Sequence, residues 1–338
     1  MDKSHQYYYA DGNVVIAVEN KLFRLHRSRL ADHCGFFVQL VVPGLGAGPG
    51  SSSATHENGV GYGGERWIVD GCPVYHVPAE LRAHDFQCLL QVLERPLMYA
   101  KEWPAQTTAT ALLRAAHALR CEAVLAFAKE CLAAYWGNGL PPQAPSYSDT
   151  LFPAPLSTAP SSDAHPEAPA EHMYREALSV ILLARRYDVP RVLKRAFYEL
   201  IASAEFWAAL NADRRQIPLY EDDLLRLYNA RHVLEQRWRE AVVVAPCVNE
   251  KDKSTCRQDL CSVRRYVSPT EMWRSMVLQS GLVEDGARDP MRYELLGGLK
   301  KESRDRWCPW CLREWEEMMA QKRKEWWALL GGLMHLSD

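Results

Sequence analysis

The sequence predicts an α+β chain: an N-terminal segment mixing short strands with helices, followed by a mostly α-helical C-terminal half. Val14, Ile16 and Val18 alternate with Val15 and Ala17 over one strand length, the polar pair Glu19-Asn20 follows, and Leu22, Phe23 and Leu25 make a second short apolar run, which together predict a β-hairpin. The period then changes: Leu30, Cys34, Phe37 and Val38 recur at helical spacing, with Ser28 near the start as a capping residue. Beyond residue 170 the apolar residues recur with helical periods.

At 338 residues the chain has room for two domains and for at least one sizeable core. Its 48% apolar and 24% charged residues are those of an ordinary globular protein. A formal net charge of -2 gives no whole-chain signature for binding nucleic acid or an anionic membrane. No segment approaches the ~20 apolar residues that span a bilayer, and the N-terminal MDKSHQYYYADG has no apolar run like that of a signal peptide. Ten cysteines in such a chain read as reduced thiols or metal ligands rather than disulfides, which places the expected compartment in the cytoplasm, the nucleus or both.

After the first helix, residues 43–64 hold eight of the chain's 19 glycines and almost nothing to bury, so they read as a flexible surface loop. A phosphate-cradling role has no support, because no Lys-Ser/Thr pair or ordered glycine spacing occurs and no helix opens from the loop. Arg66 to Val69 and Val74 to Val77 read as strands around the turn Asp70-Gly71-Cys72-Pro73. Ala83 to Glu94 is a helix with Phe86, Leu89, Leu90 and Leu93 on one face. Thr107 or Thr108 caps the next, which buries Leu112, Leu113, Ala116 and Leu119, and Cys121 to Trp136 continues with Val124, Leu125, Ala128, Cys131 and Leu132. Cys121 and Cys131, among these apolar positions, read as small core residues. The first domain is therefore residues 1–136. Residues 137–170 contain eight prolines and read as a disordered linker.

Residues 171–338 form the predicted helical domain. Ile181 to Ile201 repeats the helix, tight turn and helix of Ala111 to Leu132, with Pro190 suited to the first turn of the second helix. The repeat reads either as related helical pairs or as two generic helix hairpins. Leu219 to Val244 is helical, with Leu224, Leu225, Tyr228, Leu234 and Trp238 expected inside. Ser268-Pro269-Thr270-Glu271 is a helix start, followed by inward-facing Trp273, Met276 and Val277. Arg313 to Leu330 carries an apolar stripe of Trp315, Met318, Met319, Trp326, Leu329 and Leu330, read as packing on the helical domain rather than as an exposed membrane or partner surface.

Cys308-Pro309-Trp310-Cys311 has the spacing that lets two thiolates face one tetrahedral ion, and Cys247, Cys256 and Cys261 lie upstream at less regular separations. A structural zinc on Cys308, Cys311, Cys256 and Cys261 is one expectation, and buried thiols are the other. A redox role for Cys308 and Cys311 would need a strand-to-helix setting. No paired carboxylates, phosphate loop or nucleophile-base-orienter set stands out, so no enzyme is predicted. His26, which Asp32 or Cys34 would have to assist as a general base, reads as a semi-buried residue tying hairpin to helix.

The run Phe23 to Leu30, F-R-L-H-R-S-R-L, placed between a strand and a helix with a Phe a few residues on, resembles the opening of a BTB/POZ domain. Where that family carries Ser-x-x-Phe, this chain has Cys34-Gly35-Phe36-Phe37, and where it often has a Tyr-Thr-Gly-like turn this chain has Glu94-Arg95-Pro96. The wider layout, with its proline-rich insertion, helical pairs and terminal C-x-x-C before a Trp-Trp helix, is similar to the BTB proteins expanded in mushroom-forming fungi. The resemblance implies an interaction protein that associates with itself or other BTB chains, with Leu30, Phe36, Phe37 and Leu40 as the homodimer contact. It also implies a substrate adaptor of a cullin-type ubiquitin ligase, with Leu93, Glu94, Arg95 and Met98 meeting the cullin and the helical domain choosing a client protein. The alternatives are a transcriptional regulator, for which the only basic helix is that of Lys322, Arg323 and Lys324 interleaved with glutamates, or an assembly scaffold.

Overall fold

A computed structural model of the chain describes residues 1–41, 67–99, 103–137, 139–141, 169–246, 269–292 and 307–336, with backbone alone for residues 39–41, 169–172 and 269. The glycine-rich run 43–64 and most of the proline-rich run 137–170 lie outside the described residues. The chain divides into two compact units, Met1–Tyr135 and Trp136–Asp338. The architecture is α+β.

Unit 1 is built on a five-stranded sheet of order β1-β3-β2-β5-β4, comprising β1 (Asp2–Tyr8), β2 (Val14–Val18), β3 (Lys21–Leu25), β4 (Ile68–Val69) and β5 (Cys72–His76). All five residues of β2 are buried, as a central strand covered on both faces requires. The hairpin is as the alternation predicts: β2 pairs antiparallel with β3 from Val14↔Leu25 to Val18↔Lys21, and Glu19 takes a positive φ of 49° in the turn. β2 pairs in parallel with β5, and β1 in parallel with β3. The second turn is shorter than predicted. Asp70 and Gly71, with φ of 45° and 74°, form it alone, and Cys72 and Pro73 already belong to β5.

The helix expected after the hairpin is two helices, α1 (Arg27–His33) and α2 (Gly35–Val41), separated at Cys34. The break follows from what lies opposite. Cys34 is disulfide-bonded to Cys121, with Cα atoms 4.3 Å apart, and Gly35 donates its N–H to the Arg120 carbonyl at 3.0 Å. A Cβ at Gly35 would meet Arg120 at 3.3 Å, so only glycine fits this approach comfortably. The disulfide corrects the expectation that all ten cysteines are reduced thiols or metal ligands. Ser28 does not cap α1: the N-cap position is His26, without a side-chain cap.

Three helices complete the unit: α3 (Ala83–Glu94), α4 (Gln106–Leu119) and α5 (Glu122–Trp136). The predicted Thr cap on α4 is absent, since the N-cap position is Ala105. The α4 face Leu112, Leu113, Ala116 and Leu119 is buried as expected. So are Val124, Ala128, Cys131 and Leu132 of α5, while Leu125 is half-buried. Burial pushes the Cys131 thiol up to about 11, which keeps it protonated and inert near neutral pH.

Unit 2 is helical: α6 (Pro169–Arg186), a 3₁₀ turn (Pro190–Val192), α7 (Leu193–Ala202), α8 (Ala204–Ala212), α9 (Glu221–Val242), α10 (Pro269–Gln279), α11 (Leu282–Arg288) and α12 (Pro309–Leu333). The turn joining α4 to α5 and the turn after α6 share one geometry. Arg120 and Asp188 are left-handed (φ 55° and 54°), and Cys121 and Val189 donate N–H groups five residues back to Ala116 and Ala184, both at 2.8 Å. Pro190 opens the 3₁₀ turn, where its missing N–H costs nothing.

Indole N–H groups organise the rest. Trp273 of α10 and Trp315 of α12 donate to the Val242 and Val244 carbonyls at the end of α9, at 2.9 and 3.1 Å, and Trp238 of α9 donates to Leu282 at 3.2 Å. A Cβ at Gly286 would strike the Trp238 ring at 1.9 Å, so α11 approaches α9 only because that residue is glycine. Within α9, Leu224, Leu234 and Trp238 are buried as expected, but Leu225 is 68% and Tyr228 49% exposed, their places inside taken by Leu227 and Ala230. Trp273 and Val277 face inward and Met276 is half-buried. On α12, Trp315, Met319, Trp326, Trp327 and Leu330 are buried within the unit, and Leu329 is exposed.

The fold makes one ionic pair decisive for unit 1. Asp85, in the first turn of α3, is 1% exposed and accepts two hydrogen bonds from Arg114 of α4, at 2.7 and 2.8 Å. Arg114→Ala leaves that carboxylate buried without its cation, so the variant loses about 3 kcal/mol. Urea denaturation of the full chain, followed by a probe in unit 1, measures the loss.

Candidate functional site

The site lies where the end of β1, the start of α1 and the C-terminal end of α3 meet. His26, Arg29, Leu30 and His33 follow at helical spacing along one side of α1, and Leu90, Leu93 and Glu94 do the same on α3. Leu25, Leu30, Leu90 and Leu93 form an apolar floor that leaves only about 30 Å³ of accessible space. The mouth above it is wider, about 310 Å³, and is lined by Tyr9, His26, Arg29, Glu94 and Arg95. A shallow groove with a leucine floor and a charged rim takes side chains presented by another surface more readily than it encloses a small molecule.

Two clasps fix the groove. Tyr9, just beyond β1, donates its hydroxyl to the Glu94 carboxylate at the end of α3, 85 residues away. The Tyr9 ring also stacks on His26, centroids 5.9 Å apart and nearly parallel, and the His26 Nε2 faces the Asp11 carboxylate at 3.5 Å. His26 thus ties hairpin to helix and faces neither Asp32 nor Cys34. Burial first, and then the hydrogen bond to Glu94, push the Tyr9 hydroxyl far above its usual range, so it remains a donor. With Glu94 engaged by Tyr9, Arg29 and Arg95 stand exposed at the mouth.

Past the groove the chain turns through Arg95 to Met98, with Met98 N–H on the Arg95 carbonyl at 3.0 Å and Gln91 Nε2 on the Met98 sulfur at 3.4 Å. This turn displays apolar side chains outward. Leu97 is 82% exposed and Met98 is also exposed, and near them Trp103 lies open on one face while it stacks against Phe127 on the other. Exposed large apolar side chains beside a charged groove are a feature of interaction sites.

The expected partner-contact residues Leu93, Glu94, Arg95 and Met98 fall together here. The expected dimer residues scatter. Leu30 forms the groove floor at 4% exposure, Phe37 is fully buried against the edge of half-buried Phe36 (centroids 5.1 Å), and the Leu40 side chain lies outside the described residues. Leu30 and Phe37 are therefore core residues within the single chain, and among the described residues of this stretch the exposed large apolar one is Val38. Tyr9, Arg29 and His33 escaped the sequence reading. The only local signal was the spacing 26, 29, 30, 33, which looks like any helix face.

Of the expected zinc ligands, Cys308 and Cys311 bring their sulfurs to 3.3 Å, while Cys256 and Cys261, like Cys247, lie outside the described residues. Among the described residues no group of three or more His, Cys, Asp or Glu is placed to hold a metal ion, and no helix is long and apolar enough to cross a membrane. Comparison with known protein families, with characterised proteins and with solved structures finds no match.

The Tyr9–Glu94 clasp makes a checkable contribution. A tyrosine pKa raised on folding adds stability that is complete below about pH 10 and is lost as the pH rises further. Tyr9→Phe therefore loses about 1 kcal/mol of stability, the same at about pH 7 and pH 9, as measured by denaturant titration at the two pH values.

Proposed function

We propose that this chain is a non-catalytic protein–protein interaction module: a BTB/POZ-type N-terminal unit that associates with itself or with other BTB chains, joined to a helical unit that recruits a client. In the finer form of the proposal it serves as a substrate adaptor of a cullin-type ubiquitin ligase. The observation that carries the reading is the C-terminal end of α3, where a leucine-floored groove rimmed by Arg29 and Arg95 runs on into exposed Leu97 and Met98. The resemblance of Phe23 to Leu30 to a BTB opening supports the partner class, since on that resemblance the residues around Leu93 to Met98 would meet a cullin, with Glu94-Arg95-Pro96 in place of the family's usual turn.

The rival reading as a DNA-binding regulator draws little support from the basic residues of α12. Arg323 is buried and donates to the Pro290 carbonyl at 3.2 Å, and Lys322 pairs with Glu325 at 3.2 Å. That leaves no row of exposed cations along this helix for a phosphate backbone.

The test is affinity purification of the tagged full chain from its own cells, beside a Leu97→Asp variant. Leu97 is so exposed that the substitution changes stability by less than about 0.5 kcal/mol, whereas Leu93 in the groove would confound binding with folding. The adaptor reading expects a cullin to accompany the wild type and to fall about tenfold with the variant, equivalent to about 1.4 kcal/mol of docking energy. Recovery of only the chain itself, or of other BTB chains, with both proteins would leave an assembly scaffold and remove the ligase role.

A further inference from the structure

The Cys308 and Cys311 pair stands at the head of α12 in unit 2, and its geometry is that of a metal half-site. Cys308 is the N-cap residue, in extended conformation, and Pro309 opens the helix. One turn of chain returns Cys311 to the same side. The two Sγ atoms are 3.3 Å apart, and the Cys311 N–H donates to the Cys308 sulfur at 3.4 Å. Two thiolates on one tetrahedral zinc, with Zn–S bonds of about 2.3 Å, stand about 3.8 Å apart, so this pair needs to open by only about 0.5 Å. Closing to a disulfide requires a movement of about 1.3 Å.

The surroundings favour neutralised thiolates. Cys311 is fully buried and Cys308 partly so. Trp307 precedes Cys308 in the chain and Trp315 follows Cys311 by one helical turn, and both pack edge-on against Trp273, with centroids 5.1 and 4.8 Å away. Two thiolates this close repel each other, and a cation between them offsets that repulsion as well as their desolvation.

We propose that Cys308 and Cys311 supply two thiolate ligands to a structural zinc ion, or to a divalent cation of similar softness, that fastens the N-terminus of α12 in unit 2. The proposal rests on this pair. Binding releases the two thiol protons, so it weakens as the pH falls.

The experiment uses the full chain, purified without added chelator, beside Cys308→Ser and Cys311→Ser. Wild type should carry about one zinc per chain by elemental analysis, and each variant should fall to background with unchanged far-ultraviolet dichroism. Cobalt(II) added to metal-stripped wild type should produce the thiolate-to-cobalt charge-transfer band, and this reading needs no variant to fold. Stripping zinc should lower the melting temperature of wild type but not of either variant. No zinc and no cobalt band in a chain whose thiols are verified as reduced would overturn the proposal. So would zinc retained undiminished in both variants. Loss of both thiols to an intramolecular disulfide on exposure of the as-purified, metal-bearing chain to oxidised glutathione, without any release of zinc, would also overturn it and make the pair a redox couple.

Discussion

Everything proposed for the N-terminal unit depends on how the first turn of α3 is held. Its helical N–H groups receive no cap from their own segment, because the N-cap residue Arg82 offers no side-chain acceptor. The cap comes instead from the hairpin: Glu19, in the β2–β3 turn, accepts the Ala83 N–H at 3.0 Å. Asp85 is then gripped by Arg114, and Phe86 packs edge-on against Phe23 of β3 with centroids 5.0 Å apart. Three unrelated contacts therefore fix the start of α3 on the hairpin and on α4. A helix fixed at one end directs its other end, and the last turn of α3 carries Leu90, Leu93 and Glu94 to the residues of α1. The Tyr9–Glu94 clasp closes the far side.

The same logic explains where chemistry and surface fall in the chain. Two buried carboxylates, Asp85 in unit 1 and Asp223 in unit 2, each lie in the first turn of one helix and pair with an arginine on another, Arg114 and Arg185. Arg29 and Arg95, in contrast, are exposed at the groove mouth. On the proposed reading, the partner segment would present an apolar side chain to the leucines and a carboxylate to Arg29 or Arg95.

What the sequence made legible was what period and turn chemistry control. The hairpin follows from alternation at Val14 to Val18, α3 from the spacing of Phe86, Leu89, Leu90 and Leu93, and the α10 start from Pro269. What it hid depends on residues distant in the chain. The break at Cys34 is set by Arg120 and Cys121, the α3 cap comes from Glu19, and α4 starts with no cap from either Thr107 or Thr108. Leu225 and Tyr228 fit a helical face as well as Leu227 and Ala230 do, and only the packing of α9 decides which face is covered. The groove was half visible: Leu93, Glu94 and Arg95 came from a family resemblance, while Tyr9 just beyond β1 and Arg29 on α1 meet them only in the fold. Of the expected dimer residues, Leu30 and Phe37 are buried within the single chain, a placement that spacing on α1 and α2 could not separate from a surface patch.

The central claim is that the end of α3 is a docking surface for another protein. It is tested most directly by placing a photo-crosslinking amino acid at Met98 and, as a control, at exposed Leu225 of unit 2, then irradiating the full chain in its own cells. The account predicts a discrete crosslinked protein from position 98 that differs from anything captured at position 225, and that disappears when Arg29 and Arg95 are both replaced by glutamate. Crosslinking at position 98 that yields no discrete product, or a product indifferent to the charge of the groove, would contradict it.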